Sequence, residues 1–80
     1  MTKTEYTKCE KLMEEAISKG KRAQREYTES DKFLNDGNEL EWEVNQRKAD
    51  QHYGEAVGIN QALATLGFTH DRMKELSELL

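Results

Sequence analysis

The sequence predicts an all-α fold: an antiparallel hairpin of two long helices with a short C-terminal helix, homo-oligomeric and most simply a dimer. Three observations carry that reading. Proline is absent and 35% of the 80 residues are charged, which suits long helices and argues against a β-rich fold. Two stretches, about 4–33 and about 38–66, repeat apolar positions in three-four spacing. A single strong turn signal, Asn35-Asp36-Gly37, separates them, and so short a link folds two helices back antiparallel.

The first helix opens at Thr2, which with Glu5 suits a capping box. Its seam runs Tyr6, Cys9, Met13, Ala16, Gly20, Ala23, Tyr27, Ser30 and Leu34, widened by Leu12 and Ile17, with Gly20 as the candidate bend. Cys9 is the only cysteine, so an intrachain disulfide is excluded. Its place on the seam marks it as a small core residue rather than a nucleophile.

The second helix is capped by Asn38 with Glu41, and Glu39, Glu41 and Glu43 put negative charge where the helix dipole favours it. One stripe repeats as Trp42, Ala49, Ala56 and Leu63, a second as Asn45, His52, Ile59 and Leu66. Leu66-Gly67-Phe68 reads as a stop, with Gly67 left-handed and Phe68 folded back on the last turn. Gly54 and Gly58 each cost about 1 kcal/mol relative to alanine inside a helix. With Gly20 they are therefore predicted to form a close-approach surface. Facing residues of the hairpin should have numbers summing to about 73, which sets Gly20 against Tyr53 and Ala16 against Ala56 and Val57. Thr69 is expected to cap the last helix, about 70–79, with Asp71 in its first turn and Met73, Leu76 and Leu80 on its apolar face. That element should cover the open end of the hairpin or a neighbouring subunit.

Eighty residues, 35% of them apolar, allow one domain with a thin core, for which self-association is the natural remedy. A net charge of −4 gives no general attraction to nucleic acid. No apolar run is long enough to span a bilayer and no signal core opens the chain, so no membrane partner and a cytoplasmic setting are expected.

Enzyme chemistry finds little support: there is no Gly-rich phosphate loop, no cysteine pair and no HExxH, and no cofactor is expected. His52 and Glu55 have i, i+3 spacing, but two ligands do not make a zinc site, so no metal is expected and His52 reads as a polar seam residue fixing register. Charge is more informative. Lys19, Lys21, Arg22 and Arg25 should lie beside Arg47, Lys48 and His52, with Tyr27 and Tyr53 close by. This belt is either a solvated face or an anion site, where Arg and Lys grip phosphate and Tyr stacks on a base. The turn end is acidic, with Glu29, Asp31, Asp36, Glu39, Glu41 and Glu43 against Lys32, and such a tip can occupy a basic groove on a nucleic-acid enzyme and compete with its substrate.

The run Tyr53-Gly54-x-x-x-Gly58-Ile59-x-x-Ala62-Leu63-x-x-Leu66-Gly67-Phe68 resembles the closing helix of small helical accessory proteins of phages and prophages. It covers about 16 residues and carries no functional residue across. The resemblance implies a viral accessory role, in which such proteins block host defences by binding an enzyme or soaking up a signal nucleotide. Three functions are thus in view: a stoichiometric inhibitor of a host protein, a sponge for an anionic nucleotide at subunit junctions, and a structural scaffolding module.

Overall fold

The computed structural model describes residues 1–80 and contains three helices: α1 (Lys3–Asn35), α2 (Glu39–Thr65) and α3 (Met73–Leu79). α1 begins where the Thr2 hydroxyl oxygen accepts a hydrogen bond from the Glu5 amide at 3.1 Å. α2 begins where Asn38 Oδ1 accepts from the Glu41 amide at 3.2 Å. Both predicted caps therefore satisfy donors that a helix start leaves free. The chain reverses through Gly37, whose φ of 77° is left-handed. At the far end Gly67 takes φ 73°, and the Phe68 amide donates to the Leu63 carbonyl at 3.0 Å, placing the buried Phe68 ring over the last turn.

The two long helices pack along the predicted seams. Cys9, Met13, Ala16, Ile17, Gly20, Ala23 and Ser30 are buried from α1, and Ala49, Ala56 and Leu63 from α2. Alanine at so many meeting points lets the backbones come close, at the cost of a core with few large side chains. Met13, Leu63 and Leu76 are the largest apolar residues fully enclosed. Ser30 is also buried, and its hydroxyl accepts from Gln46 Nε2 at 2.6 Å, a polar pair that fixes the two helices in register.

Several details depart from the sequence expectation. α1 runs two residues further than expected, to Asn35, and does not break at Gly20. The turn accordingly sits later, and numbers of facing residues sum to 74–78, with Lys19 and Glu55 at one limit and Glu26 and His52 at the other. Leu66, expected on the second stripe, is the C-cap residue and is 61% exposed, because the helix ends at Thr65 before that stripe returns to the seam. Thr69 does not cap α3. The helix starts at Met73 after Arg72, and the acceptor near its start is His70 Nδ1, which takes the Arg72 amide at 3.1 Å. Asp71 therefore precedes the helix rather than sitting in its first turn.

α3 lies back along α1 from the open end of the hairpin towards its middle. Leu76 is fully buried in the core cluster with Met13, Ile17 and Leu63. Leu79 reaches Gly20, and Tyr53 Oη donates to the Leu80 carbonyl at 2.8 Å. Gly20 thus meets α3 rather than Tyr53, since the short helix fills the groove between them. The result is a rod of 52 × 17 × 16 Å, with a Cα radius of gyration of 15.1 Å against about 12 Å for a compact chain of this length.

Candidate functional site

Three surfaces remain once the helices are packed, and only some of the predicted site residues lie on them. The first is an open groove of about 660 Å³ on α1, beyond the end of α3, lined by Lys21, Gln24, Arg25, Thr28, Glu29 and Lys32. Lys21 Nζ is held 3.1 Å from Glu75 Oε1, so α3 takes up part of this positive charge. Arg72 Nε also reaches Glu75, at 3.2 Å, and the two cations hold the Glu75 carboxyl below the usual carboxylate range, the bond from Lys21 having the larger effect.

The rest of the predicted belt does not gather there. Lys19 pairs with Glu55 across the hairpin, and hydrogen bonds from Lys19 and then Gln51 lower the Glu55 pKa. Arg47 pairs with Glu43 one turn away, at 2.7 Å. Tyr27 Oη donates to Asp50 Oδ1 at 2.5 Å, and this bond, reinforced by burial and by the charge of Asp50, pushes the phenol up to about 12. With Tyr53 bonded to the Leu80 carbonyl, the hydroxyls of Tyr27 and Tyr53 are both committed within the chain. Arg22 and Lys48 are exposed and make no ion pair. His52 faces Glu26 rather than Glu55, with Nδ1 2.8 Å from Oε1. No three potential metal ligands converge anywhere on the chain.

The second surface is an apolar groove of about 400 Å³ between α1 and α2, on the side away from α3. Leu12, Gly58, Ile59 and Ala62 form its floor and walls, and Glu15, Lys19 and Glu55 its charged rim. A Cβ on Gly58 or Gly54 would meet no atom within 4 Å, so neither glycine is approached from inside the chain. Sequence reading noted the glycines but missed the groove. The available signal was Leu12, which lies off the main seam and is 39% exposed.

The third surface is the turn end. Glu29, Asp31, Asp36, Glu39, Glu41 and Glu43 are all exposed there, and among them Leu40 is 70% and Leu34 49% exposed. Leu34 was expected on the seam but stands half-exposed at this end. At the opposite end Tyr6, Phe68 and His70 cluster, with Tyr6 and Phe68 centroids 5.2 Å apart and His70 Nε2 3.2 Å from Glu10 Oε2, a packing that ties the α2–α3 link to α1.

Compared with known proteins, the chain matches no protein-family model, no curated protein and no solved structure. No helix is long and apolar enough to cross a membrane.

Proposed function

We propose that this chain is a non-enzymatic binding protein that acts stoichiometrically on a host protein, as a phage-type accessory inhibitor working in the host cytoplasm. The observation that carries the proposal is the turn end, where Leu34 and Leu40 stand exposed inside a frame of acidic residues. The two leucines offer apolar surface that a partner can cover, and carboxylates around them select a basic groove with an apolar floor. The working unit is a homo-oligomer. The chain exposes 5542 Å², about a tenth more than the roughly 5,000 Å² of a compact monomer of its mass.

The test is a comparative pull-down from bacterial lysate with the wild-type chain and a Leu34→Ser, Leu40→Ser variant as baits. The outcome that supports the reading is an enzyme or defence component retained in fixed stoichiometry by the wild type, weakened by salt and lost with the variant. Identical recovery by both baits would remove the turn end from the function.

A second reading, a sponge for an anionic nucleotide, is favoured by the groove that Lys21, Arg25 and Lys32 line. It predicts binding heat with linear or cyclic nucleotides that vanishes in an Arg25→Glu variant. A flat titration across the panel removes it.

A further inference from the structure

The side of α2 turned away from α3 is left open by the chain except where Lys19 of α1 bonds Glu55 and where Ile59 packs against the core, and its residue pattern complements itself. Val44, Lys48, Gln51, Glu55, Ile59 and Ala62 follow at helical intervals of three or four, so they share one face. Lys48 and Glu55 stand about 4.5 and 6 Å to either side of Gln51, and Val44 and Ile59 about 10.5 and 12 Å. A two-fold axis at Gln51, in the plane of this face and perpendicular to α2, therefore carries Lys48 onto Glu55 of a second copy. The same operation carries Val44 onto Ile59 and Ala62, and Gln51 onto itself. Lys48, which has no partner of its own, meets a Glu55 that Lys19 and Gln51 of the other copy already hold, and each apolar residue meets apolar surface, as an isologous interface requires.

We propose that a second copy of this chain docks here, with the two α2 helices antiparallel about an axis through Gln51. This rests on the reading of the chain as a homo-oligomer and adds its arrangement. Val44 is 39% exposed, and Lys48 is exposed with no ion-pair partner of its own. The groove beside Ile59 and Gly58 is open, so a facing side chain has somewhere to go.

Sedimentation velocity on charge-reversed chains tests the arrangement. Lys48→Glu sets like charges against each other at two symmetric places, as does Glu55→Lys, and each alone is expected to weaken the dimer about tenfold or more. Mixing the two variants brings opposite charges together at both places and is expected to restore a dimer. Gln51→Cys, in a Cys9→Ala background, is expected to oxidise to a covalent dimer, whereas Gln61→Cys is not. Glu55→Lys also loses its bond from Lys19, so circular dichroism checks that the hairpin survives. Lys48→Glu and the cysteine pair carry the test if it does not. A wild-type chain that sediments as a 9.3 kDa monomer at every concentration overturns self-association itself. A dimer indifferent to Lys48→Glu and unlinked through position 51 overturns this face alone.

Discussion

At Gly20 a Cβ would lie 3.3 Å from Leu79 Cβ and 3.4 Å from its Cδ1, so the end of α3 sits against the bare backbone of α1. Leucine there is expected to cost about 1–3 kcal/mol by pushing α3 off its seat. Alanine at Gly54, where a Cβ meets only open space, is expected to gain about 0.5–1 kcal/mol from helix propensity. Urea denaturation of the two variants checks both signs, and a neutral Gly20→Leu would mean that α3 is not seated as described. Tyr27 offers a second residue-scale check. Its pKa is raised to about 12, so its stabilising contribution is present below the unfolded value of about 10 and is lost as pH rises through 12. Phenolate absorbance should show Tyr27 titrating late, and Asp50→Asn should bring it back towards the ordinary phenol value, because the hydrogen bond to Asp50 is the main cause.

Among the elements, α3 depends most on its neighbours. Its seven residues are too few to be stable as an isolated helix, and no side chain caps its start. Leu76 and the Glu75 ion pairs hold it down. Leu76→Ala, which empties a fully buried site, is expected to cost about 2–5 kcal/mol and to release α3 before the hairpin opens. Glu75 has a lowered pKa, so its contribution is present above the ordinary carboxylate range and is lost as pH falls through its own lower value. Amide protection in α3, taken relative to intrinsic exchange at each pH, should therefore fall in acid as Glu75 loses its bond from Lys21, and protection unchanged across that range would contradict this role.

For the molecule as a whole, shape decides the outcome. Only 12 of 80 residues are buried, and most of those from the hairpin itself are alanines or other small side chains, so a single rod has little apolar burial to offset its ordering entropy. Association adds the missing burial and couples folding to concentration. The thermal midpoint is accordingly expected to rise with chain concentration in scanning calorimetry, and a midpoint independent of concentration would speak against a linked dimer.

The helices, their caps and the seam from Cys9 to Ala23 were legible because each follows from near neighbours: a periodicity, a capping oxygen, a left-handed glycine. The start of α3 was not, because no side chain caps it and the link turns at His70, whose Nδ1 accepts from the Arg72 amide just ahead of the helix, and that depends on how the link folds. The belt of basic residues was legible as composition but not as a site. Cross-hairpin partners such as Glu55 and Asp50 claim Lys19 and Tyr27, and Glu75 on α3 claims Lys21. Local hydrogen bonding and side-chain periodicity, which the sequence alone determines, made two long antiparallel rods inevitable. Where α3 comes to rest, which charges are already spent, and which face of α2 is left bare are decided by long-range packing, because each depends on residues far apart in the chain meeting in space.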